Sequence, residues 1–102
     1  MVSFPPDILH QIRDLCIRYG VARLELTGSA ARDDFNLASS DIDFLVEFLP
    51  HTSVSAFAFV EFSDALEVVF GRRVDLIELG AVKNPILREA FLRDKVPIYA
   101  AA

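Results

Sequence analysis

The stretch Asp41-Ile42-Asp43-Phe44-Leu45-Val46-Glu47-Phe48 constrains this chain most strongly. Ile42, Phe44, Val46 and Phe48 recur at every second position, with Asp41, Asp43, Leu45 and Glu47 between them. Period two is the geometry of a strand, because successive side chains leave opposite faces. One face this apolar requires another layer packed on it. The other face carries two carboxylates at i and i+2, side by side.

The flanking patterns alternate between helix and strand. Pro5-Pro6 opens a helix that Gly20 closes, with Ile8, Ile12, Leu15, Cys16 and Tyr19 on one face. Val21 to Thr27 reads as a strand broken by Gly28-Ser29, Ala30 to Asp34 as a short helix, and Phe35 to Ser40 as a loop. Pro50 ends the Asp41 to Phe48 strand. Thr52 or Ser53 is placed to cap a long helix that runs to Phe70 and stops at Gly71. Phe59, Phe62, Leu66 and Val69 would form its core stripe, leaving Phe57 and Phe70 partly outside it. Arg73 to Leu79 predicts a strand with Asp75, Ile77 and Leu79 on one face. Asn84-Pro85 starts a last helix, and Val96 to Tyr99 predicts a short edge strand that tolerates Pro97. The expected fold class is α/β: a mixed sheet of about four strands with helices packed against it.

Composition narrows the function. The 102 residues suit a single domain spanning 1–102. Fifteen acidic residues against ten basic ones give a net charge of −5 and a pI near 4.8, which argues against direct nucleic-acid binding. Cys16 is the sole cysteine and has no internal disulfide partner, so the chain reads as cytoplasmic. The first residues lack the basic start and apolar run of a signal peptide, and no apolar stretch approaches the ~20 residues of a membrane span.

Asp41-Ile42-Asp43 carries the chemistry. Two neighbouring carboxylates repel each other, and a hard divalent cation such as Mg²⁺ removes the conflict by taking their oxygens as ligands. If the strand bearing Asp75 lies alongside, three carboxylates converge, enough for two metal ions with an aspartate as general base. Upstream, Leu26-Thr27-Gly28-Ser29 ends a strand in Gly-Ser and leads into a helical segment. Backbone N–H groups, a close-approach glycine and a hydroxyl there would cradle a phosphate.

Gly28-Ser29-Ala30-Ala31-Arg32, then Ser40-Asp41-Ile42-Asp43-Phe44-Leu45-Val46, then Gly71-Arg72-Arg73-Val74-Asp75-Leu76 resemble the nucleotidyltransferase superfamily that includes DNA polymerase beta. They are most similar to its minimal branch, the stand-alone MNT proteins. The ending, Asn84-Pro85-Ile86-Leu87-Arg88 through Val96-Pro97-Ile98-Tyr99, also looks like the family's, so the resemblance covers nearly the whole chain. It implies the polymerase beta palm-like nucleotidyltransferase fold. It implies nucleotide contacts from Gly28, Ser29 and Arg32. It implies catalytic and Mg²⁺-binding roles for Asp41, Asp43 and Asp75, with ATP as substrate. It also implies a HEPN-type toxin as partner, neutralised by transfer of AMP to a tyrosine. Asp33 and Asp34 depart from the pattern, which usually has glycine after the arginine. Two acids near a phosphate site would repel a triphosphate, and Arg32, pointing inward, would offset part of this.

Each motif also has a plain reading. Asp41, Asp43 and Asp75 could be solvated strand charges, Gly28-Ser29 a turn, and Arg32 a partner of Asp33 or Asp34. Lys83 reads as a solvated lysine, Arg72 and Arg73 as cations at a helix C-terminus, Cys16 as a small buried hydrophobe. His10 and His51 have no ligand-like spacing. The apolar run Val54 to Phe62 suits either a wide core stripe or a protein interface, including a homodimer through the 54–70 helix. The leading expectation is a Mg²⁺-dependent nucleotidyltransferase acting on a hydroxyl of a partner protein. The alternative is an inactive binding module of the same fold that neutralises its partner by complex formation. Nucleotidylation of a small molecule ranks last, because it normally needs an added acceptor domain.

Overall fold

The structure, a computed structural model, describes residues 4–31 and 41–102. Helix α1 spans Pro6–Arg18. Proline fits its first turn, and Asp7 near its start and Arg18 near its end both suit the helix dipole. Gly20 follows at φ 70°, a left-handed conformation that glycine adopts without strain, and turns the chain into β1, Val21–Thr27. A four-residue 3₁₀ turn, Gly28–Ala31, succeeds it. Of the expected short helix over 30–34, the described residues Ala30 and Ala31 lie in this turn. Its remaining positions, with the loop 35–40, lie outside the described residues.

Strand β2 is Ile42–Phe48 and β3 is Val74–Glu78, one residue shorter at each end than the sequence pattern suggests. The expected Leu79 end of β3 instead opens a 3₁₀ turn over Leu79–Ala81. Helix α2, Ala56–Phe70, connects β2 to β3. Its cap is Ser55, where Thr52 or Ser53 was expected: the Ser55 Oγ accepts from the Ala58 N–H at 3.0 Å. The chain makes a tight turn first, with the Thr52 N–H donating to the Leu49 carbonyl at 2.9 Å, so the helix begins later. Gly71 at φ 65° terminates it. The Glu67 carboxylate, in the last turn, accepts from the Val74 N–H at 3.0 Å and fixes the start of β3. Helix α3, Pro85–Arg93, is capped by Asn84, and β4 is Val96–Ala100.

The strands order as β3-β2-β1-β4. β1 runs antiparallel to both β2 and β4, while β2 and β3 are parallel, which requires the crossover that α2 supplies. The sheet is therefore mixed and four-stranded, as the sequence predicts, with β4 at an edge.

The core lies on one face. Leu24 and Leu26 from β1, with Ile42, Phe44 and Val46 from β2, meet Ile12 and Cys16 from α1 and Phe62 and Leu66 from α2. Phe59 and Val69 pack at its margin, whereas Phe57 is 74% exposed. Phe70, expected partly outside the stripe, is half-buried and packs against the core from its edge. Its ring packs against Phe4 and Phe44, with centroids 5.0 and 5.6 Å away, as the last turn of α2 leans over the sheet. Among the described residues no helix is long and apolar enough to cross a membrane.

Candidate active site

The opposite face of the sheet is built differently. Strand registers align Thr27 with Asp43 and Asp43 with Asp75, so the three side chains form one row across β1, β2 and β3. This row lies where β1 ends and where β2 and β3 begin. Asp41 precedes Asp43 by two residues and lies just before the first residue of β2. The adjoining backbone is tied to the approach to β3 by the Ile42 N–H donating to the Arg73 carbonyl at 3.1 Å. Asp41 and Asp43 are half-buried and Asp75 is exposed. The next row inward is Glu25, Leu45 and Ile77.

Gly28 explains why the row can form. Its φ is 66°, and a Cβ built on it would stand 2.4 Å from the Asp43 Oδ2. The left-handed backbone favours glycine at this position, and any side chain here would have to displace the Asp43 carboxylate from its place. The Asp43 carboxylate lies directly against the turn that was expected to cradle phosphate. The described part of that turn is 3₁₀ and four residues long, and Ala30 within it is fully buried in the core. Arg32, Asp33 and Asp34 lie outside the described residues, as does the side chain of Ser29.

The structure thus brings together Gly28, Asp43 and Asp75, with Asp41 beside them. Sequence reasoning overlooked Thr27, which belongs to the same row and is 1% exposed. Its signal was a hydroxyl at the end of a strand whose neighbours are apolar. Other cations of the open face are partly engaged with acids. Arg23 pairs with Glu47, whose carboxylate holds the guanidinium pKa up, and Lys95 Nζ lies 3.3 Å from Glu25 Oε2. Lys83, His10 and His51 are exposed, in keeping with their plain readings.

An all-carboxylate donor set suits a hard cation such as Mg²⁺. The contact of Asp43 with Gly28, opposite Asp75 in the register, puts two such donors on adjacent strands. Among the described residues, no three His, Cys, Asp or Glu side chains are already gathered around one point. The residues fit an ion in donor type, with two of the donors on adjacent strands.

Comparison with known proteins agrees with this geometry. A family model described as a nucleotidyltransferase domain matches residues 9–98. A proposed protein adenylyltransferase of Methanocaldococcus jannaschii, MJ0128, is 35% identical, over 93% of this chain and 95% of its own length. The solved structure of a proposed minimal nucleotidyltransferase superimposes with a TM-score of 0.71 at 31% identity, covering 87% of each chain. A chain from the complex of tri-AMPylated HEPN toxin with MNT antitoxin of Shewanella oneidensis superimposes with a TM-score of 0.65. It covers 92% of this chain and 71% of that one at 18% identity, a likeness that shows the fold alone. With the carboxylate row, the glycine turn and the mixed sheet in their expected order, this chain belongs to the nucleotidyltransferase domain family, in its minimal branch.

Proposed function

We propose that this protein transfers AMP from ATP to a hydroxyl of a partner protein, with pyrophosphate as the leaving group, and serves as the antitoxin of a HEPN/MNT pair. The observation that carries this reading is the alignment of Asp43 with Asp75, with the Asp43 carboxylate packed on Gly28. The M. jannaschii relative is a proposed protein adenylyltransferase, and the Shewanella complex contains an AMP-bearing HEPN toxin.

In this reading Asp41 and Asp43 hold Mg²⁺ together with Asp75. The ion supplies Lewis-acid stabilisation of charge developing on phosphate oxygens. Gly28 lets the triphosphate approach the backbone, and Ser29 and Arg32 contribute donors to it. Asp75, the exposed member of the row, is placed to accept the proton of an incoming hydroxyl. Its exposure suits an acceptor arriving on another chain, because an open position at the sheet's edge admits a docked tyrosine.

The test is transfer of label from α-labelled ATP to a HEPN protein in the presence of Mg²⁺. Asp43→Asn should lower transfer by about 100-fold or more, since losing a group that stabilises charge in the transition state costs several kcal/mol. Its melting temperature should stay near that of the parent. Equal labelling by Asp43→Asn and the parent would overturn the assignment.

A further inference from the structure

Thr27 is the one buried polar residue among those described. Its Oγ1 donates a hydrogen bond to the Phe91 carbonyl at 2.7 Å, across 64 positions of sequence. Phe91 lies in the last turn of α3, where carbonyls have no partner within the helix. Helix α3 has no buried residue, and Ile86 is 80% exposed, so apolar packing does little to fix it. Its described polar tethers to the rest of the fold are this bond and one from Arg88 Nη1 to the Leu79 carbonyl at 2.8 Å, which is exposed. The less exposed tether is therefore the one at the carboxylate row.

A valine would match the shape of Thr27 and suits a strand at least as well. The hydroxyl is thus not needed to form β1. Its effect is to join the end of α3 to the strand end that presents Gly28 and faces Asp43.

We propose that Thr27 is a positioning residue for the transfer reaction. This rests on the function proposed above. By holding the last turn of α3 against the end of β1, the Thr27 hydroxyl fixes the rotation at which β1 delivers Gly28 to the Asp43 carboxylate. Thr27 touches neither nucleotide nor acceptor. It acts through the backbone it anchors.

Thr27→Val and Thr27→Ser separate this from a structural role. Removing the hydroxyl removes this part-buried bond, which predicts up to about tenfold faster amide exchange in α3. Thr27→Val should also lower kcat about tenfold, a loss beyond that explained by the fraction unfolded. Thr27→Ser should restore both exchange protection and kcat. A Thr27→Val protein with parental kcat overturns the proposal, as does a Thr27→Ser protein that fails to restore it. A wild-type chain that transfers no AMP sinks the proposed function instead. In that case the tether stands or falls on exchange alone, and parental α3 protection in Thr27→Val overturns it.

Discussion

The two faces of the sheet are made by the same strands and do opposite work. On one face, Leu24, Leu26, Phe44 and Val46 are at most 1% exposed beneath α1 and α2. On the other, the same strands offer Thr27, Asp43 and Asp75 in a row, which α3, a helix with no buried residue, meets at Thr27. Residues one position apart thus sit in dry packing or beside an ionic site. Burying the acids would cost more than the core returns, so the period-two alternation assigns packing to one face and, in the proposed function, chemistry to the other.

The sharpest way to break this division is Phe44→Ala, next to Asp43. It should cost about 3–5 kcal/mol in urea unfolding, as expected for a fully buried phenylalanine, while the folded molecules keep their transfer activity. Loss of activity without loss of stability would show the faces to be coupled. Gly28→Ala probes the seam between them. The left-handed backbone alone predicts about 1–3 kcal/mol of destabilisation, and the contact with Asp43 predicts a fall in transfer beyond what unfolding explains. Full activity in a folded Gly28→Ala protein would mean that the Asp43 carboxylate can leave the turn freely.

Cys16 tests how dry the core face is. Burial pushes its thiol from 9.0 up to about 12. The unfolded chain then loses this proton above about pH 9 while the folded chain keeps it, so stability falls as pH rises from there toward 12. The slope attributable to Cys16 is at most about 1.4 kcal/mol per pH unit. Subtracting the same curve for Cys16→Ala isolates it, and an absent difference would mean water reaches the thiol. The smallest effect is expected on the open face: Arg23→Ala removes an exposed pair with Glu47 and should leave the melting midpoint unchanged.

Much of this was legible in the sequence because it depends on period and punctuation. The alternation through 42–48 gave β2 its faces, and Gly20 and Gly71 marked the ends of α1 and α2. The pairing of the acidic strand with Asp75 could be stated only as a condition, since register depends on which strands meet. The cap of α2 was misplaced to Thr52 or Ser53 because several hydroxyls compete there, and only the turn at Leu49–Thr52 shows that Ser55 is the one that fits.

By itself the sequence determined the alternating elements, the carboxylate pair and its glycine-serine companion, because each is a local pattern written in side-chain type and spacing. Only the tertiary structure decided that Asp75 stands opposite Asp43, that Gly28 lies against the Asp43 carboxylate, and that Thr27 reaches Phe91. Those are contacts between distant segments, and they exist only once the parallel crossover and the antiparallel pairing have brought the strand ends together.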